Sequence, residues 1–191
     1  MVATEHGRAL ADIDLTRLAG ASVAGAAERL TIELDAPVDA EGLRRLLVRS
    51  FAASPPPPLP GAVELVRALA GRLPVGVASN APAEIVEGVL ADLGLRDAVR
   101  IVVSAELVGA AKPAPDVYLE ACRRLAVAPS DAIAFEDSPP GAGAARAAGL
   151  FVVAVPSLAG LELDADLTVG RLDDPRLLGY LRLETQAARA P

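Results

Sequence analysis

Three places along the sequence put chemically competent residues where they could handle phosphate or a metal: Ser79 with Asn80, Lys112, and Glu136 with Asp137. Ser79 and Asn80 follow the apolar run PVGVA, and Pro82 comes next, a residue suited to opening a helix. A hydroxyl beside a helix N-terminus, where free N–H groups carry partial positive charge, makes a phosphate cradle. The competing reading is that Asn80 caps that helix. Glu136 and Asp137 end the run AIAF and precede SPPG. Two adjacent acids there suit a hard cation such as Mg2+, which takes one or two carboxylates plus water and phosphate oxygens. Alternatively, Asp137 or Ser138 caps the following helix. Lys112 lies in GAAKPAPDVYLEA, where Pro113 and Pro115 stiffen the approach, so its ammonium could be aimed at a developing negative charge. A lone lysine is usually a solvated surface residue. Here, however, Lys112 is the one lysine among 18 basic residues and Asn80 the one asparagine, so a bias against both residue types spared these two positions.

The elements that must position these groups alternate regularly. After Gly61 a helix over 62–71 leads into PVGVAS (74–79), a helix over 82–93 into RIVVS (100–104), and a helix over 115–125 into AIAFE (132–136). A helix over 139–148 then leads into FVVAV (151–155), and a short strand LTV precedes a C-terminal helix from about residue 174. Short continuous apolar strands between amphipathic helices imply an α/β fold with a parallel sheet covered on both faces. Such sheets bind ligands at the carboxyl ends of their strands, where Ser79, Lys112, Glu136 and Asp137 all project. Residues 8–54 read as helices instead. Val23, Ala26, Ala27, Leu30 and Leu34 recur at helical spacing, as do Leu43, Leu46, Leu47 and Phe51. SPPPPLPG (54–61) separates the two patterns as a stiff linker, because proline removes backbone donors and favours an extended chain.

Composition narrows the function classes. A 191-residue chain with 52% hydrophobic and only 3% aromatic residues has room for one core plus a small appendage, and that core must be aliphatic. No apolar run approaches a membrane span and the N-terminus lacks a signal peptide's apolar stretch, so a cytoplasmic location is expected. A net charge of −7 without a basic run argues against nucleic acid or anionic lipid as partner and leaves small polar substrates open. The single cysteine, Cys122, excludes an internal disulfide and is expected in the core beside Leu119 and Leu125. There is no GxxxxGK for a P-loop. GAGAAR (141–146) has Arg146 where a dinucleotide fingerprint needs its third glycine. A response-regulator receiver would place its lysine after the acid pair.

VGVASNAP, GAAKPAPDVYLEA and IAFEDSPPGAGAARAAGL resemble the second, third and fourth motifs of the haloacid dehalogenase superfamily, in the β-phosphoglucomutase-like and sugar-phosphate phosphatase subgroup with a helical cap. The resemblance covers nearly the whole chain, since HGRAL through PPPPLPG looks like the later part of that cap. It implies a Rossmann-like core over 59–191 and a partial helical cap over 1–58. It further implies a Mg2+-dependent phosphatase or phosphomutase-like hydrolase acting on a small phosphorylated metabolite. By this likeness Ser79 binds the phosphoryl group with Asn80 beside it, and Lys112 neutralises charge on nucleophile and phosphate. Asp137 ligates Mg2+, and Glu136 supports the metal directly or through water.

The family's first motif is a buried apolar strand ending in DxDGT, which supplies an attacking carboxylate and a general acid. DIDLT (12–16) has the aspartates, but EHGRALA before it is no apolar strand, and LAGASVAGAAERL after it looks like mid-cap. Leu15 stands where the family has glycine, and DADLT (164–168) repeats the pattern elsewhere. Asp12 and Asp14 are therefore expected to be solvated cap residues near a helix start, and His6 a surface residue. The resemblance places the missing strand centrally, between those ending at Ser79 and Asp137. Its loss would leave ladder groups unpaired and a gap in the core. A natural protein extended at the N-terminus is the favoured explanation. The alternative is a catalytically dead module that binds a phosphate ligand or a protein partner. A dehalogenase proper is disfavoured, because displacing halide at carbon has no use for the acid pair.

Overall fold

The computed structural model describes residues 20–35, 37–55, 57–157 and 160–182. His6, Asp12 and Asp14 lie outside the described residues. The chain begins with α1 (Val23–Leu34), α2 (Ala40–Ala53) and α3 (Ala62–Ala70). It then alternates through β1 (Gly76–Ser79), α4 (Ala83–Asp92), β2 (Ile101–Ser104), α5 (Asp116–Leu125), β3 (Ile133–Glu136), α6 (Pro139–Ala147) and β4 (Phe151–Ala154). β5 (Leu167–Thr168) and α7 (Pro175–Tyr180) complete it. Each strand and helix expected after Gly61 is present, its ends moved by a residue or two; of the helical stretch expected over 8–54, residues 8–19 lie outside the described residues.

The first two helices start where side-chain oxygens satisfy their open N–H groups. Ser22 caps α1 through the Gly25 amide, and Asp39 caps α2 through the amides of Glu41 and Gly42. Their apolar faces meet in a cluster of Ala26, Ala27, Leu30 and Leu43, separate from the clusters that surround the strands. Leu46 departs from the expected stripe and is exposed. α2 reaches α4 and the turn at Ala105–Leu107 through Arg44, which pairs with Glu84 at 3.3 Å and Glu106 at 2.8 Å.

All observed strand pairings are parallel, yet they form two sheets: β1 with β2, and β3 with β4 and β5. Successive side chains point to opposite faces, and both faces are apolar. Val103, Ala134 and Val152 pack toward α5 and α6. Val75, Val77 and Val102 pack with residues of α3 and α4, while Phe135, Val153 and Val155 join α7 and Leu65 of α3. Phe151 stacks on Tyr180 at 5.1 Å, fastening the C-terminal helix to β4. Cys122 is buried as expected, but Leu119 on the same helix is 44% exposed, because it falls on the solvent side of the turn.

Between the two sheets the core is open. β1 and β3 line the two sides of one cavity of 490 Å³, with α5 and α3 closing it above and below. Among the described residues, no strand joins β1 to β3.

Candidate active site

β1 and β3 run in the same direction, since Lys112 joins their carboxyl ends: its Nζ donates to the Ala78 carbonyl at 2.9 Å and to Glu136 Oε1 at 2.5 Å. The lysine and glutamate side chains are only 8% and 6% exposed, so neither charge is left to water. Tyr118, at the start of α5, completes the cluster. Its hydroxyl donates to Glu136 Oε1, and the Lys112 ammonium lies 4.7 Å from its ring centroid. Burial, together with the neighbouring Glu136 carboxylate, pushes the phenol well above its ordinary range, so it stays a protonated donor.

Asn80 is buried and bound on every side. Its Oδ1 accepts from the Lys112 backbone N–H at 2.9 Å, and its Nδ2 donates to the carbonyls of Lys112 at 3.2 Å and Gly20 at 2.6 Å. It clamps the loop that carries Lys112, a structural task beyond the helix cap or phosphate neighbour that its sequence position indicated. Ser79 ends β1, and its hydroxyl accepts from the Ala81 N–H at 3.1 Å at the approach to α4. Ser138 caps α6 through the Gly141 N–H at 3.3 Å, which leaves Asp137 free of the capping role. The turn of Gly20 and Ala21 before α1 lies over this cluster, with Gly20 packed against the Ser138 side chain.

The donor set is compatible with a Mg2+ ion. Asp137 is half-buried at the end of the strand, and no hydrogen bond from a described residue engages its carboxylate. Glu136 is already shared between Lys112 and Tyr118, so it would support a cation at longer range. No group of three or more acids, histidines or cysteines that could hold a metal ion gathers among the described residues. Tyr118 escaped sequence reasoning. An aromatic residue on an amphipathic helix reads as core, and only its place six residues after the single lysine hints at more.

Ser79, Glu136 and Asp137 thus lie at the carboxyl ends of β1 and β3, strands of two parallel sheets, with Lys112 bridging the two ends. A family model described as haloacid dehalogenase-like hydrolase matches residues 4–149, and the chain belongs to that family. Several of the relatives that it matches are phosphatases. It is 42% identical over 108 residues to the fructose-1-phosphate phosphatase of Escherichia coli, covering 56% of this chain and 57% of that protein. It is 40% identical over 124 residues to the bifunctional riboflavin kinase/FMN phosphatase of Arabidopsis thaliana, covering 62% and 33%. The chain therefore spans between a third and somewhat over half of these relatives' length. A crystal structure of β-phosphoglucomutase from Clostridium difficile shares the fold, with a TM-score of 0.71, 22% identity, and coverage of 89% of this chain and 81% of that one. Among the described residues no helix is long and apolar enough to cross a membrane.

Proposed function

We propose that this chain forms the phosphate-handling part of a Mg2+-dependent phosphatase or phosphomutase-like hydrolase acting on a small phosphorylated metabolite of the sugar-phosphate type. The observation that carries this reading is the buried Lys112–Glu136 pair at the converging ends of β1 and β3. The desolvated ammonium, fixed by three acceptors that occupy its three N–H donors, would act on anionic oxygens through its charge rather than by a further hydrogen bond, and in a low-dielectric setting such a charge acts strongly. The relatives' names, phosphatases of fructose 1-phosphate and of FMN, agree on phosphate monoesters. Ser79 and the N-terminus of α4 would receive the phosphoryl oxygens, and Asn80 keeps Lys112 pointed at them. Mg2+ held by Asp137, with Glu136 in support, would withdraw charge from the phosphate oxygens. Residues 1–58, as a partial cap, would exclude water and read the rest of the substrate, with the Gly20 turn and Arg44 closing onto the core.

A second reading is favoured by the open sheet: a module that binds phosphate without turning it over. The described residues offer no carboxylate placed as a nucleophile opposite Lys112 other than Glu136 and Asp137, which the site uses for charge and metal. The test is Mg2+-dependent release of phosphate from an aryl phosphate by this chain, beside an Asp137→Asn variant purified identically. Turnover that the variant abolishes supports the enzyme. Phosphate binding without turnover supports the module, and absence of both removes both readings.

A further inference from the structure

Ser104 is fully buried and takes no part in the Lys112 cluster. It ends β2 in register with Ser79 at the end of β1, and register partners of a parallel pair send their side chains to the same face. A hydroxyl without water around it is costly unless its hydrogen and its lone pairs find partners. Ser104 meets both requirements. Its Oγ–H donates to the Ala81 carbonyl at 2.8 Å, and Oγ accepts from the Glu106 N–H at 3.3 Å. The sense of each bond is fixed, because a carbonyl can only accept and an amide N–H can only donate. Capping the turn at Glu106 calls for an acceptor alone, so the donation across to Ala81 is a separate task.

Ala81 passes that hold to Ser79. Its N–H donates to Ser79 Oγ at 3.1 Å, so Ala81 is gripped at its carbonyl by Ser104 and at its amide by Ser79. The amide takes one lone pair of Ser79 Oγ, and no described residue accepts the Ser79 hydrogen. That hydrogen, directed away from the amide, is the part of Ser79 left for an anionic oxygen. On the other flank Asn80 is bound to the backbone of Lys112, so the turn from Ser79 to Ala81 is fixed from both sides. We propose that Ser104 is a positioning residue for the phosphoryl group: it fixes Ala81 so that the Ser79 hydroxyl is aimed at a phosphoryl oxygen. This rests on reading Ser79 as a phosphate ligand, and Ser104 acts only through it.

The test is titration of the full chain with inorganic phosphate by 31P NMR, beside Ser104→Ala, Ser79→Ala and the double variant. Each single variant should bind about tenfold more weakly, the equivalent of one lost hydrogen bond. The double variant should bind no more weakly than Ser79→Ala, because Ser104 then has nothing left to aim. A residue that only supports the fold would weaken binding by the same factor with or without the Ser79 hydroxyl. Ser104→Cys, similar in size but with a weak S–H donor, should fall between the wild type and Ser104→Ala, and it carries the comparison if the alanine variant does not fold. Without phosphate, hydrogen exchange at the Ala81 amide should speed up in Ser104→Ala while exchange within Ile133–Glu136 stays unchanged. Wild-type affinity in Ser104→Ala, unchanged exchange at Ala81, or additive losses in the double variant would overturn this proposal alone. A wild type that binds no phosphate would overturn the reading of Ser79 together with it.

Discussion

A methyl group added at Gly141 would overlap the Glu136 carboxylate, because the first turn of α6 runs against the end of β3. The carboxylate cannot retreat without giving up Lys112 and Tyr118. Gly141→Ala should therefore cost about 1–3 kcal/mol, the usual range for overpacking. Gly143→Ala, two residues along the same helix, meets only the Pro113 side chain at 3.8 Å. It should gain about 0.5–1 kcal/mol from helix propensity. Thermal unfolding of the two variants beside the wild type checks this, and equal melting temperatures would mean that Glu136 is not held where we describe it. Lys112→Met should be costlier. It strands a buried carboxylate, and losing one partner of such a pair typically costs about 3–5 kcal/mol. Adding Glu136→Gln to that variant should recover most of the loss in denaturant titration, since the amide oxygen can still accept from Tyr118.

At the scale of elements, α5 carries an electrostatic tie of a different kind. Glu120 accepts from Arg123 and Arg124 one turn later, and these hydrogen bonds hold its carboxyl down at about 2, below the ordinary glutamate value of 4.5. A depressed acid contributes stability that is fully present above its unfolded value and lost as pH falls through its folded value. Melting temperatures should thus decline between pH 4.5 and 2 less steeply in Glu120→Gln than in the wild type. The helical pair α1–α2 answers to another contact. Arg44→Ala removes both ion pairs that join α2 to the strand-bearing part. Hydrogen exchange within Val23–Ala53 should rise while that of β3 and β4 stays unchanged, and the difference should shrink in high salt.

The elements themselves were legible because each strand is a short apolar run bounded by glycine, proline or an acid, and each helix shows its own period. The order Ser79, Lys112, Glu136 was legible because Ser79 and Glu136 each end an apolar run and Lys112 lies in the loop between β2 and α5. What stayed hidden depends on side chains reaching across the chain. Asn80 binds the backbone of Lys112 and Gly20, and no pattern in either segment announces it. Tyr118 looks like any buried aromatic until its hydroxyl is seen against Glu136. Leu46 and Leu119 fit their helices' apolar spacing, yet nothing packs over them, because periodicity gives a face and not its partner.

For the whole molecule the open sheet matters most. Left dry and empty, an apolar void of 490 Å³ would cost on the order of 10 kcal/mol, comparable with the entire stability of a domain. Water admitted from the surface lowers that cost but leaves ladder groups without partners among the described residues. The charge cluster does not depend on the gap being filled, since its bonds close among Ala78, Lys112, Tyr118 and Glu136. Anion binding is therefore the property that this chain should retain whether or not it turns over substrate. The direct measurement is titration of the chain with inorganic phosphate by 31P NMR, with and without Mg2+, beside Asp137→Asn. The account predicts saturable binding that Mg2+ tightens at least tenfold, with that enhancement lost in the variant. Phosphate that fails to bind, or Mg2+ enhancement that survives Asp137→Asn, would contradict it.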